Sequence, residues 1–282
     1  MTAATVPVRR RHRIRPADLL RYLPALVIVV FYLLPLLYLL NTALKSNTEF
    51  SQNPVGLVTH PDFLNFVTAW TKGDFGTYLI NSIVYTLFSA GIGTAASFLL
   101  AFPVSRGYLA GSRFWSVGFA LLLFLPNAII TQFQLLLRLG LYDTPVGYIL
   151  IMAAGVGVGP ILLTGYMRSI PRELDEAAAL DGIGYWRYLW TFIVPLAKPA
   201  IATVFILQAI GVWNDIILAT ILLTDDSKLP ITRGLLNFQG TYTSQFGLLA
   251  AATTIVAAPL VVAYVFLQRY LVGGVVGGAV KG

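Results

Sequence analysis

Few side chains in this 282-residue chain are suited to covalent or metal chemistry. It has no cysteine, and its two histidines, His12 and His60, lie in polar stretches, so neither thiolate chemistry nor a histidine-built metal site is expected. Asp215 is the only ionisable residue inside an apolar stretch, where charges are functional candidates by default. Gln132 and Gln208 lie in similar stretches, and their amides can hydrogen-bond hydroxyl groups without burying a charge. The pattern therefore favours polar recognition over catalysis.

The composition indicates that a membrane surrounds the elements that carry these residues. The chain is 57% hydrophobic and only 11% charged, whereas a soluble domain of its size would carry about twice that charge. Its mean hydropathy is +0.77. Stretches of about 20 apolar residues, which can cross the hydrocarbon core, predict six helices: 22–44, 78–105, 114–137, 144–167, 199–224 and 247–268. Their many glycines and prolines favour close packing, so we expect an all-α bundle.

The distribution of Lys and Arg predicts how this bundle is oriented. With six spans, 14 of the 19 basic residues fall on the side that holds both termini, and 5 fall on the other side. Cytoplasmic loops carry the excess of basic residues, so both termini are predicted to be cytoplasmic. The same bias accounts for the net charge of +7 without a nucleic-acid partner. A cleaved signal peptide is not expected, because the first apolar stretch is too long and lacks a cleavage site.

The longest predicted cytoplasmic loop, residues 168–198, has the sequence of two short helices. Pro171 and the acidic residues after it suit a first helical turn, and Gly182 can end that helix in a left-handed conformation. A second helix from Trp186 to Phe192 is expected to stop at Pro195. Its aromatic residues fit either a knob that enters a groove of another protein or an interfacial helix resting among lipid headgroups. The residues leave both alternatives open.

This loop contains a spaced motif: Glu176-Ala177-Ala178, three residues, Gly182, nine residues, and Phe192-Ile193-Val194-Pro195. It resembles the EAA motif of ABC importer permeases, EAA-x3-G-x9-I-x-L-P, with apolar exchanges at Phe192 and Val194. Asp181 matches the form found in carbohydrate permeases. Further segments resemble the MalG-like permeases of that group: Asn81-Ser82, Trp213-Asn214-Asp215, Leu229-Pro230, Asn237-Phe238-Gln239-Gly240, Gln268-Arg269-Tyr270 and the closing residues 278–282.

The resemblance implies the type I ABC importer permease fold, an all-α integral membrane protein with six transmembrane helices and a cytoplasmic coupling-helix loop. Residues 1–21 would be a basic cytoplasmic tail, 22–270 the permease domain with its coupling loop at 168–198, and 271–282 a cytoplasmic C-terminal tail. The Gly-rich residues 276–282 are expected to be flexible. In the loop, Glu176 would be the polar contact to an ATPase, and Ala177 and Ala178 the close-packing surface. Gly182 would be the turn between the two helices, Asp181 its neighbour or cap, and Pro195 the end of the motif.

The resemblance also implies partners. These are a second, MalF-like permease chain, a homodimeric ATP-binding subunit and an extracytoplasmic sugar-binding protein, in the cytoplasmic membrane of a bacterium or archaeon. The chain itself lacks a G-x-x-x-x-G-K-[ST] phosphate loop, so ATP and magnesium would be bound by the partner subunits and no cofactor by this chain. A sugar, a polyol or a glycerol phosphate would be the substrate, and membrane lipids would surround the bundle.

Several polar residues are candidates for the substrate pathway. Their side chains could hydrogen-bond or stack on a sugar, or could instead join neighbouring helices: Asp215, Asn214, Trp213, Gln208, Asn127, Gln132 and Gln134. Lys281, in the C-terminal tail, is a candidate contact to the ATPase. The alternative function is an ion-coupled secondary transporter, although such proteins normally carry several intramembrane charges. The sequence does not select the sugar.

Overall fold

The computed structural model describes residues 16–126, 128–155, 157–238 and 245–279. These residues form α-helices joined by short turns, one π-helical segment and two 3-10 segments. The α-helices, in chain order, are α1 Pro16–Ala43, α2 Asn47–Gln52, α3 Leu64–Lys72, α4 Phe75–Arg106, α5 Ser112–Leu122, α6 Ile129–Leu139, α7 Pro145–Ala154, α8 Gly159–Arg168, α9 Glu173–Leu180, α10 Tyr185–Tyr188, α11 Val194–Trp213, α12 Ile217–Leu222, α13 Ile231–Gly234 and α14 Phe246–Ala279.

Among the described residues, four helices are long and apolar enough to cross a membrane. They cover Tyr22–Ala43, Phe75–Arg106, Tyr185–Trp213 and Phe246–Gln268. Helices α7 and α8 meet at 47° and make a fifth span if they are counted together. The six-span count therefore stays a prediction.

The expected third span, 114–137, is not a single helix. It is divided into α5 and α6, with residues 123–128 between them, and Asn127 lies outside the described residues. Pro126 accounts for the break because it has no N–H to donate and it disfavours helical geometry in the residue before it.

The expected helix stop at Pro195 was wrong. Residues Leu189–Ile193 form a π-helical segment that joins α10 to α11, and Pro195 lies in the first turn of α11. In this segment the Val194 N–H bonds the Leu189 carbonyl, five residues back. A π turn changes the hydrogen-bond register, and a proline is tolerated in a first turn, so the helix continues to Trp213. The loop thus runs directly into a span.

The central helix of the bundle is α4, which packs against α7, α8 and α11. At 1.5 Å per residue its 32 residues span about 48 Å. We call the end that carries residues 168–198 the basal end and the end that carries residues 45–74 and 223–238 the apical end. Each end has its own buried apolar cluster, centred on Phe102 and Leu163 at the basal end and on Phe75 and Phe238 at the apical end.

A fully buried lysine organises the apical connection after α1. The Lys45 ammonium donates to the backbone carbonyl oxygens of Asn53 at 2.8 Å, of Pro54 at 3.1 Å, and of Gly56. Three acceptors match the three hydrogens of an ammonium group, so the charge is solvated by backbone dipoles instead of water. The segment between α1 and α3 is therefore folded around one side chain.

Helices are present at both ends of the described residues. Helix α1 covers Pro16–Ala43, and α14 covers Phe246–Ala279. Residues 276–279, expected to be flexible, are helical because extending an existing helix adds one hydrogen bond for each residue fixed. Lys281 lies outside the described residues.

Candidate functional site

A cavity of about 600 Å³ opens beside the break between α7 and α8. Its volume falls within the range typical of small-molecule sites, about 300–1,000 Å³. No charged side chain lines it among the described residues, and the neighbouring residues Asn127 and Val156, which lie outside them, are also uncharged. The lining consists of Leu122, Leu125, Pro126, Ala128, Gln132, Ile151, Met152, Ala154, Gly155, Gly157, Val158, Gly159, Val204, Leu207, Gln208, Gly211, Val212 and Leu218.

Two amides give this apolar cavity its polar character. Gln132 reaches it from α6, and its side-chain oxygen is buried without a hydrogen-bond partner among the described residues. Gln208 reaches it from α11 and accepts a hydrogen bond from the Thr94 hydroxyl at 3.2 Å. A buried acceptor without a donor is unfavourable, so a change of the Gln132 rotamer that let its oxygen meet a hydroxyl group in the cavity would be stabilising.

The other predicted pathway residues that the structure describes do not line this cavity. Trp213 is 8% exposed and its indole N–H donates to the Val256 carbonyl of α14 at 3.3 Å. Asn214 donates to the Ile210 carbonyl at 2.9 Å, and Gln134 lies on α6 outside the cavity. Asn127 lies outside the described residues. Of the predicted pathway residues that the structure describes, it brings Gln132 and Gln208 together in the cavity.

Asp215 does not lie within a helical span, because α11 ends at Trp213 and α12 starts at Ile217. Its carboxylate accepts the N–H groups of Leu218 at 3.3 Å and Ala219 at 2.9 Å. It also accepts the Tyr148 hydroxyl of α7 at 2.9 Å. A carboxylate at a helix N-terminus satisfies free N–H groups and is favoured by the helix dipole. In this geometry Asp215 joins two helices.

The predicted helix in the basal loop is present as α9, Glu173–Leu180. Its N-terminal turn carries Glu173, Asp175 and Glu176, which are favoured beside the positive end of the helix dipole. Gly182 has a φ of 68°, in the left-handed region as expected. The Ile183 N–H bonds the Ala178 carbonyl at 2.9 Å, which closes the helix end. Asp181 is exposed and is held by its backbone N–H, which bonds the Ala177 carbonyl at 3.0 Å.

Helix α9 has one buried face and one exposed face. Ala178 is 7% exposed and packs into the basal apolar cluster, so it does not belong to the outward surface on which the sequence placed it. Glu173, Glu176, Ala177 and Leu180 point outward, with Leu180 89% exposed. Their spacing of three, four and seven residues places them on one side of the helix. This surface, which we call the α9 outer face, is available to a partner.

The side chains that hold α9 to the bundle were not identified from the sequence. Arg106, at the end of α4, lies 2.9 Å from the Asp175 carboxylate through its Nε atom, with 2% and 13% of the two side chains exposed. Its Nη1 atom donates to the Ile170 carbonyl at 2.9 Å, and the Tyr188 hydroxyl donates to Asp175. The sequence signal for this contact is weak, since Arg106 contributes only to the charge bias and Asp175 only to the acidic helix start. We call Arg106, Asp175 and Tyr188 the basal joint.

The aromatic residues of the loop are divided between two environments. Tyr188 is buried in the basal joint, whereas Trp186 and Trp190 are 62% and 59% exposed. The two tryptophans are therefore free to contact either a partner protein or the lipid headgroups, as the sequence left open.

These features describe a polytopic membrane protein with a solute-sized cavity and an exposed helix between two spans. The chain belongs to the family described as binding-protein-dependent transport system inner membrane component, whose family model matches residues 15–276.

Similar proteins and structures extend over nearly the whole chain. The melibiose/raffinose/stachyose import permease protein MelC of Bacillus subtilis is 31% identical over 92% of this chain and 95% of its own. The diacetylchitobiose uptake system permease protein NgcG of Streptomyces coelicolor is 30% identical over 89% of this chain and 85% of its own. A chain in the crystal structure of a bacterial ABC transporter that imports the acidic polysaccharide alginate has a TM-score of 0.77 and 25% identity, covering 92% of this chain and 99% of that one.

Proposed function

We propose that this chain is the permease subunit of an ATP-driven, binding-protein-dependent importer of a sugar or of a related polyol or glycerol phosphate. The observation that carries the proposal is the α9 outer face, where Glu176, Ala177 and an almost fully exposed Leu180 project from the spaced motif at the basal end. Together these side chains offer a partner a charged contact, a small residue that allows close approach and an exposed apolar side chain, 89% of whose surface is accessible. The family and the names of the relatives support the transport role.

In this proposal the basal end is cytoplasmic and the α9 outer face docks on a homodimeric ATP-binding subunit. That subunit binds ATP and magnesium, and its closure moves α9 and changes which side of the membrane the cavity faces. Such coupling needs an element with two states that both sites bias. Glu176 contributes a polar contact, Ala177 allows close approach and Leu180 contributes apolar area. Lys281 is an additional contact from the C-terminus.

The cavity supports a substrate rich in hydroxyl groups. Its amides, Gln132 and Gln208, can donate and accept hydrogen bonds. The described lining carries no charged side chain that would repel a charged substrate or require one for pairing. A second permease chain would complete the pathway, membrane lipids would surround the bundle, and a sugar-binding protein would deliver the substrate at the apical end.

The proposal is tested by substituting the α9 outer face in the assembled transporter. The tagged chain is expressed with the genes beside its own, purified in detergent and assayed for ATPase activity stimulated by the binding protein. The binding protein is loaded in turn with monosaccharides, oligosaccharides or glycerol 3-phosphate. We expect Leu180→Asp to abolish co-purification of the ATP-binding subunit, since it places a charge in the contact.

Leu57→Asp is the matched control. Leu57 is 84% exposed, but it lies at the apical end, so the same change there should leave the ATP-binding subunit attached. Equal retention of the subunit by both variants would contradict the assigned docking surface. Ion-driven uptake by the chain alone in liposomes would replace the proposal with the secondary transporter.

A further inference from the structure

We propose that α4 is a rigid connector that carries the displacement of α9 to the apical segment 225–231, and that the Arg106–Asp175 pair is its positioning contact. This inference rests on the proposed function, since it assumes that an ATPase moves α9. It assigns the transmission to particular side chains at the two ends of one helix.

The basal joint is built so that α9 and α4 move together. The Arg106 guanidinium reaches both the start of the loop, at the Ile170 carbonyl, and the Asp175 carboxylate of α9. Because the Arg106 and Asp175 side chains are 2% and 13% exposed, water does not readily replace either charge partner when the elements are pulled apart. The Tyr188 hydroxyl holds the same carboxylate from the helix that leads into α11. Displacement of α9 therefore pulls on the end of α4.

The apical end of α4 is joined just as closely to residues 227–231. The Asn81 amide donates to the carbonyl oxygens of Ser227 at 2.8 Å and Leu229 at 3.1 Å. The Tyr85 hydroxyl donates to the Lys228 carbonyl at 2.7 Å, and the Ile231 N–H donates to the Ser82 hydroxyl at 2.7 Å. Each bond joins an α4 side chain to the backbone of the apical segment. The segment should therefore move with α4, and this does not depend on the side chains of the segment.

Between its ends, α4 is one continuous helix, and Pro103 lies inside its last turn, three residues before Arg106. The 25 positions from Asn81 to Arg106 correspond to about 37 Å, so the two joints lie at opposite ends of the bundle. On the way α4 passes the cavity wall, where a Cβ atom on Gly93 would lie 2.7 Å from the Gln208 side-chain oxygen and 2.9 Å from the Ala153 carbonyl oxygen. Movement of α4 would therefore change the cavity as well as the apical segment.

The test measures whether ATP-induced changes reach the apical segment. The complete transporter is reconstituted, and amide hydrogen exchange of residues 225–231 is compared with and without Mg-ATP and orthovanadate. We expect a change of exchange in the unmodified protein. In the Asp175→Asn protein the ATP-induced change of hydrogen exchange should be smaller by at least about threefold. Substitutions along coupled networks have effects of this size on the coupling between sites. Subunit assembly and ATP hydrolysis are measured on the same sample, because Asp175→Asn keeps the residues of the α9 outer face but removes the charge that holds α9 to Arg106.

Two further variants make the result specific. Asp74→Asn is the matched control, since it removes an exposed apical carboxylate at a left-handed position that asparagine tolerates, and it should leave the ATP-induced change intact. Tyr188→Phe removes one hydrogen bond without unpairing a charge, so it should show a smaller loss in the same direction even where Asp175→Asn does not assemble.

The outcomes separate this inference from the proposed function. If the unmodified complex neither hydrolyses ATP nor imports a sugar, the proposed function fails. If it does both, but the Asp175→Asn and Tyr188→Phe complexes transmit the full change of exchange to residues 225–231, the connector inference is wrong.

Discussion

At the scale of single residues, Gly247 shows how closely the apical helices pack. A Cβ atom at this position would collide with the Lys45 carbonyl oxygen and would lie 3.0 Å from the Asn65 amide nitrogen. That amide donates to the same carbonyl at 2.9 Å, so the backbone at the end of α1, the α3 side chain and the start of α14 meet at one point. Only a residue without a side chain fits there.

We expect Gly247→Ala to destabilise the protein by about 1–3 kcal/mol, the usual cost of forcing an extra methyl group into a packed interior. The measurement is thermal unfolding of the purified protein in detergent. Gly165→Ala is the control, since a Cβ atom added to Gly165 in α8 would meet no atom of the described residues within 4 Å apart from its own helix backbone. There the gain in helix propensity should keep or raise the melting temperature. Equal melting temperatures for the two variants would contradict the packing at Gly247.

At the scale of elements, Asp143 connects the turn before α7 to the apical segment after α12. Its carboxylate accepts the N–H groups of Thr224 at 2.9 Å and Asp225 at 3.2 Å, and lies 3.1 Å from the Lys228 ammonium. Burial alone would raise the pKa of Asp143, but these donors outweigh it and hold the pKa below its ordinary value. The hydrogen bond to Asp143 raises the pKa of Lys228 in turn.

This contact predicts a pH-dependent stability. Because the pKa of Asp143 is lowered on folding, its contribution is fully present above the unfolded value of about 3.9 and is lost as the pH falls through the folded value. Asp143→Asn keeps the left-handed backbone but removes the charge. We expect the melting temperature of the unmodified protein to exceed that of the variant at about pH 6, and the difference to shrink below about pH 4. A difference that stays constant down to about pH 3 would refute this assignment.

Helix α9 shows where sequence patterns suffice for an element and where they do not. Its start, its acidic first turn and its end at Gly182 follow from local rules and were predicted. Its rotation was not predicted, and Ala178 faces inward because Asp175, one turn earlier, is held by Arg106. The rotation depends on a residue in another helix, which periodicity within a loop cannot reveal.

At the scale of the whole molecule, the cavity predicts which polar residues affect import. Under the proposed function, Gln132→Leu should lower the rate of sugar import by about twofold to tenfold, as expected for the loss of one hydrogen bond. The measurement is uptake by the reconstituted transporter at equal amounts of assembled complex. Gln134→Leu is the control, because Gln134 lies two residues along the same helix and outside the cavity. Unchanged import in Gln132→Leu would remove this residue from the pathway.

The sequence by itself determined that this is a membrane-embedded helical protein, because the length of each apolar stretch is a property of the chain. It also determined that the chain has no phosphate-loop motif, because that motif is defined by residue spacing. Only the tertiary structure decided which polar groups meet. The Tyr148 hydroxyl and the Asp215 carboxylate are 67 residues apart, and Arg106 finds Asp175 in a distant loop. Buried polar groups must find partners, but which partner each one meets depends on how the helices are rotated and packed against one another.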